Sequence, residues 1–114
     1  METKRPHYYD ARDLAHFGDI GRVNKDLAAS YFSYYGKAMA GGALSEREKA
    51  LIALAVSHAL KCPYCIDAYT SSCLEKGADE EQMSEAVHVA AAMVAGVTLV
   101  HSVQMMNKID DLSL

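Results

Sequence analysis

A chain of 114 residues, 51% hydrophobic and 23% charged with only two prolines, has the make-up of one globular domain, which excludes a disordered or low-complexity protein. Its net charge of -4 offers no basic stripe to displace counterions from phosphates, which argues against nucleic acid as a partner. The opening stretch METKRPHYYD has no apolar signal region, so a non-exported, cytoplasmic protein is expected.

The stretch DARDLAHFG predicts a short helix capped by Asp10 and stopped by Gly18. A second helix is predicted from about Lys25 to Ala40, with Leu27, Tyr31, Tyr34, Tyr35 and Ala38 at spacings of three and four. Its tyrosine stripe reads as core or interface, and Gly41 and Gly42 end it. SERE at 45–48 is a capping box, in which Ser45 and Glu48 satisfy each other's amides. The helix that follows, KALIALAVSHAL, is almost wholly apolar and is expected at the centre of the fold. Pro63 pushes Cys62 out of the α region and suits a first helical position, so a further helix is predicted with Cys62 as its cap and Gly77 as its close. Asp79 and Gln82 cap the next, MSEAVHVAAAMVA, and Gly96 is expected to separate it from a last helix reaching about Lys108, with IDDLSL as a tail.

From Ala86 to Asn107 no residue carries a formal charge, and about 20 such residues can span a bilayer. The stretch is largely alanine with two histidines and a central glycine, so insertion would be weakly driven. The preferred expectation is no membrane span but two helices buried nearly all round, which in so small a chain implies subunit contacts. No strand alternation or solenoid repeat is visible. The expected fold is all-α, one compact domain over 1–114 with five or six helices and a core segment of about 44–101.

The chemistry concentrates in KCPYCIDAYTSSCLEKG, residues 61–77. Three answers stand for its two cysteines: a redox pair, half of a metal site, or packing. A helix amino terminus favours a thiolate over a thiol, which turns a cysteine into a nucleophile at neutral pH. Cys62 and Cys65 both fall in the first turn, near enough to close a disulfide. A zinc site needs two further ligands, and no second CxxC or HxxxH exists, so neither metal nor cofactor is expected. Of the three cysteines one is left over, Cys73, as a packed or accessory thiol. His58, one turn before Cys62, has the pKa range of a general base, with a core histidine making one hydrogen bond as the alternative. Glu48 is accounted for by its capping box, and Asp67 by the helix dipole. His101 and His88 sit in the charge-free helices and read as packed or interface residues that can also approach the thiols.

The segment LSEREKALIALAVSHALKCPYCIDAYTSSCLEKGADEEQMSEAVHVAAA resembles the carboxymuconolactone decarboxylase-like family in its alkylhydroperoxidase D-like branch, over about Leu44 to His101. CPYCIDAYT with EAVHVAAA and LVH further resembles a peroxidase-like branch associated with arsenosugar biosynthesis. The resemblance implies a small all-α subunit in a homo-oligomer, a trimer or a hexamer of trimers. It implies that Cys65 attacks a hydroperoxide to become a sulfenic acid, that Cys62 closes a disulfide with it, and that a dithiol or thiol protein reduces the pair. The dipole argument favours Cys62 at least as much as Cys65. Where such hydroperoxidases place a glutamate and two histidines, this chain has Ala50, Tyr64 and Tyr69, whose phenols can donate hydrogen bonds but are poor bases at neutral pH. Tyr69 joins Cys65, Cys62 and His58 as a candidate catalytic residue. The alternatives to peroxidase-like chemistry are a carboxymuconolactone-type decarboxylase and a non-catalytic oligomer holding an arsenical through its dithiol.

Overall fold

Four helices begin on a residue in the extended region whose side chain accepts an amide N–H from three residues ahead. Asn24 Oδ1 takes the Leu27 N–H at 3.1 Å, Ser45 Oγ the Glu48 N–H at 3.0 Å, Cys62 Sγ the Cys65 N–H at 3.3 Å and Asp79 Oδ1 the Gln82 N–H at 2.8 Å. Each satisfies one of the amides that a helix start leaves unpaired. The helices they open are α1 (Lys25–Met39), α2 (Glu46–Ala59), α3 (Pro63–Glu75) and α4 (Glu80–Val100), followed by α5 (Ser102–Leu112) and preceded by a 3-10 helix, Ala11–Arg22. The computed structural model describes residues 8–113, so residues 1–7, on which much of the expectation about export rests, lie outside it. Among the described residues there is no strand, and the fold is all-α.

α2 is the central element, packed against both α3 and α4, while the 3-10 helix lies on α1 and α3. The core forms where α2 meets α3 and the turn into α4: Ala50, Leu54, Cys73 and Ala78, with Leu51, Tyr69, Met83 and Val87 against them. Leu54, 2% exposed, contributes on the order of 1.5–3 kcal/mol through burial. Lys49 ties α1 to α2 by donating to the Ala38 and Ala40 carbonyls at 2.9 and 2.6 Å, which satisfies the negative end of α1. Phe17 holds the 3-10 helix on α1 by ring contacts with Tyr31 and Phe32.

Three boundaries differ from the sequence expectation. The first helix runs past Gly18 to Arg22 and is 3-10 throughout. α4 continues through Gly96 to Val100, because a glycine inside a helix costs only about 1 kcal/mol. The break falls instead at His101, and α5 takes up residues expected in the tail, reaching Leu112. The two charge-free helices are not buried within the chain: of α4 only Ala90 is buried, and α5 buries nothing. Tyr34, Met105 and Met106 are likewise exposed in the single chain. The chain is accordingly extended, 68 Å in its longest dimension with a radius of gyration of 19.5 Å, where a compact domain of this length has about 13 Å.

Candidate functional site

The cysteine pair stands at the corner between α2 and α3. α2 ends in a paired turn: the Lys61 N–H donates to the His58 carbonyl at 3.2 Å and the Cys62 N–H to the Ser57 carbonyl at 3.0 Å, with Lys61 in the left-handed region at φ 58°. This is the Schellman arrangement, whose left-handed position glycine normally fills. Cys62 is therefore both the closing donor of α2 and the N-cap of α3, with Pro63 as the first residue of α3. Its position is fixed from both sides.

Both thiols are free and half-buried, and their sulfurs lie 2.7 Å apart. Closing a disulfide needs only a sub-ångström approach. Their acidities diverge. The Cys65 thiol and the Cys65 backbone N–H both hydrogen-bond Cys62 Sγ, and with the Tyr64 amide they hold the Cys62 thiol below its usual value against a desolvation that opposes them. Burial pushes Cys65 up to about 11, and the hydrogen bond to Cys62 and the charge there add to it, while the Ser57 hydroxyl works in the other direction. The pair thus comprises one sulfur disposed to be a thiolate and one disposed to keep its proton. This ordering agrees with the dipole argument rather than with the order of attack that the resemblance implies.

The two sulfurs also have different surroundings. Cys65 lines an apolar pocket of about 350 Å³ with Tyr35, Ile52, Val56, Ser57 and Tyr69. On the Cys62 side the chain's own amino-terminal segment closes in: Tyr64, between the two cysteines, donates to Asp13 Oδ2 at 2.9 Å and its ring lies 4.6 Å from that of Tyr9. The bond to Asp13 is the main reason the Tyr64 phenol is harder to ionise. Desolvation pushes the Tyr9 phenol up, and the charges of Asp67, Asp10 and Cys62 add to it. Tyr9 is thus part of the thiolate's surroundings. A larger hollow on the outer face of α1, lined by Ala29, Ser33, Tyr34 and Lys37, contains neither cysteine.

Of the residues singled out in the sequence, the structure brings together Cys62, Cys65 and Tyr69. It places His58 elsewhere: Nδ1 bonds the Leu54 carbonyl at 2.9 Å, and the ring lines a separate groove with Lys61, Ile66, Val87 and Ala90. His88 and His101 are exposed on the α4–α5 arm. Cys73 is wholly buried, and burial pushes its thiol up. Ala50, where the resemblance implies a glutamate, is also wholly buried in the core. Two residues of the site escaped the sequence reading. Ser57 is a single hydroxyl in an apolar helix, and that contrast is its only signal. Tyr35 is masked by its place in a tyrosine stripe. Among the described residues no cluster of histidine, cysteine or acidic side chains has the makings of a metal site.

Against this geometry the family comparison is decisive. The model of the Carboxymuconolactone decarboxylase family matches residues 25–108. The chain belongs to that family. It is 34% identical over 98 residues to a Paracoccus denitrificans protein described as uncharacterized protein 4 in the cox locus, covering 86% of this chain and 88% of that one. Among solved structures, a structural-genomics protein of Methanobacterium thermoautotrophicum superposes with a TM-score of 0.70 at 31% identity, covering 74% of this chain and 94% of its own. An apo carboxymuconolactone decarboxylase family protein of Legionella pneumophila superposes with a TM-score of 0.64, covering 90% and 99%. At 22% identity it speaks for the fold alone.

Proposed function

We propose that this family member is a thiol-dependent oxidoreductase of peroxidase-like type, reducing a hydroperoxide through the Cys62–Cys65 couple. The observation that carries the reading is the sulfur pair itself: 2.7 Å apart, with Cys62 at the helix N-cap and the two thiols shifted in opposite directions. The lower pKa makes Cys62 the first nucleophile. Its thiolate attacks the terminal peroxide oxygen; the S–O bond forms, the O–O bond breaks, and the alkoxide leaves to take a proton from water. Cys65 then attacks the sulfenic sulfur, the S–S bond forms, and hydroxide departs with the Cys65 proton as water. An external dithiol or thiol protein returns the disulfide to two thiols by exchange, a cycle suited to a reducing compartment such as the cytoplasm.

The test is stoichiometric. One equivalent of cumene hydroperoxide should remove two thiols from the reduced protein, leave its mass two hydrogens lower, and turn over with added dithiol. Cys62→Ser should abolish all three. Turnover unchanged in that variant would exclude the reading.

Two apposed sulfurs would also chelate a thiophilic arsenical, and arsenite capture without peroxide turnover would favour that alternative. A decarboxylase acting on a carboxylated lactone wants a free cation at the pocket. Lys49, the cation that lines it, is spent on the carbonyls of Ala38 and Ala40.

We further propose that second copies of this chain cover the exposed α4–α5 arm, in a trimer or hexamer. The mismatch between the radius of gyration of the single chain, 19.5 Å, and that of a compact domain, about 13 Å, supports this, as do Val97, Val100, Val103 and Met106 left open to solvent. Glu80–Leu112 is also long and apolar enough to cross a membrane by length and composition. Sedimentation in detergent-free buffer separates the two: a discrete oligomer supports self-association, whereas a monomer, or recovery only with lipid, overturns it.

A further inference from the structure

Ser57 is the one buried polar side chain among the described residues, 4% exposed in a helix that is otherwise apolar at its core-facing positions. Alanine there would be a better helix former and would bury no hydroxyl. The hydroxyl donates to the Ala53 carbonyl at 2.5 Å, a back-bond that satisfies its proton but adds nothing the helix needs. What distinguishes Ser57 is its place between the two cysteines. Its carbonyl accepts the Cys62 N–H at 3.0 Å, and its side chain lines the same pocket wall as Cys65, where it eases the ionisation of that thiol.

We infer that Ser57 is a positioning residue of the dithiol, its hydroxyl turning its single proton from the Ala53 carbonyl to Cys65 Sγ as that sulfur attacks Cys62. This rests on the peroxidase-like reading and adds to it a device for the second step. Cys65 is the sulfur that burial keeps protonated, so disulfide closure requires charge to build on it while its proton leaves with the departing hydroxide. Ser57 exchanges no atom in this step. It supplies a hydrogen bond to sulfur during the interval in which the S–H bond has weakened and the S–S bond is incomplete, then returns to Ala53.

The experiment compares wild type with Ser57→Ala and Ser57→Thr after rapid mixing with cumene hydroperoxide. Sulfenic acid at Cys62 is trapped by a dimedone-type probe, and disulfide closure is followed by intact mass. Ser57→Ala should form sulfenic acid at the wild-type rate but close the disulfide about tenfold more slowly, with trapped sulfenic acid accumulating; Ser57→Thr should restore closure. In a Cys62→Ser background, removing the hydroxyl should move the alkylation profile of Cys65 to higher pH by about one unit. Wild-type closure in Ser57→Ala, no rescue by threonine, or an unmoved profile would each overturn the inference. Should Ser57→Ala fold poorly, Ser57→Val, which matches threonine in shape but has no donor, gives the same readouts. If wild type itself forms neither sulfenic acid nor disulfide, the peroxidase-like reading fails, and the alkylation profile still decides whether Ser57 acts on Cys65.

Discussion

The two ends of α3 are built on the same plan and put to opposite uses. Each adjoins a Schellman turn, and each has a cysteine in its hydrogen bonding. At the carboxyl end the Gly77 N–H donates to Leu74 at 3.1 Å and the Ala78 N–H to the Cys73 carbonyl at 2.9 Å, with Gly77 at φ 86° and Cys73 sealed in the core. At the amino end the left-handed residue is Lys61, a side chain that costs about 1–2 kcal/mol in that region, and Cys62 stands half-open at the positive end of the helix. One corner satisfies every local rule and holds the core together. The other departs from them at the proposed site, as strained residues at functional sites commonly do.

The sharpest way to break this contrast is thiol labelling. At neutral pH Cys62 should alkylate at least about a hundredfold faster than Cys73, because thiolate fraction and access both favour it, and peptide mass mapping over time reads the ratio. The selectivity of Cys62 over Cys65 should narrow as pH rises toward about 11. The sign follows from the shifts. The lowered Cys62 pKa contributes stability above the ordinary thiol value that is lost as pH falls through the folded one; the raised Cys65 pKa contributes stability below the ordinary value that is lost as pH rises through about 11.

Between the corners, Leu54→Ala should cost about 2–5 kcal/mol in a denaturant melt, since Leu54 packs with Cys73 and Ala78. Gly77→Ala should cost about 1–2 kcal/mol from backbone strain alone, because no atom stands within 4 Å of the added methyl. Lys61→Gly should do the reverse, stabilising by about 1 kcal/mol or less once the added freedom of the unfolded chain is counted. Equal losses at both positions would mean that the two corners are not the same motif. The smallest effect is expected from Tyr64→Phe, which deletes the bond to Asp13 and should quicken Cys62 alkylation a few-fold by loosening the amino-terminal segment, at about 1 kcal/mol or less in stability.

Much of this was legible in the sequence. The caps Ser45, Cys62 and Asp79 announce their helices because a capping side chain acts on an amide three residues away, a purely local event, and Pro63 and Gly77 do the same through φ. The expectation for Gly96 failed because glycine is a weak breaker when both sides favour helix. The 3-10 geometry of Ala11–Arg22 was not legible, since it is held by contacts from distant Tyr31, Phe32 and Tyr64. For the site, CxxC spacing and Pro63 located the dithiol, whereas the separation of His58 from it depends on which face of α2 meets α4, a matter of packing. Ser57 and Tyr35 lack a pattern of their own, and only the pocket they share with Cys65 brings them forward.

Cys62 caps α3 through its sulfur, and a sulfur held in a disulfide is a poorer acceptor for that amide than a thiolate. The reduced chain therefore has the better-anchored helix, and any energy the cap gives to the reduced form is energy the oxidised form lacks. In the cycle proposed for the pair, helix anchoring and oxidising power are one quantity seen from two sides: the more firmly the sulfur holds the first turn of α3, the more readily the closed pair would give up its bond to a passing thiol.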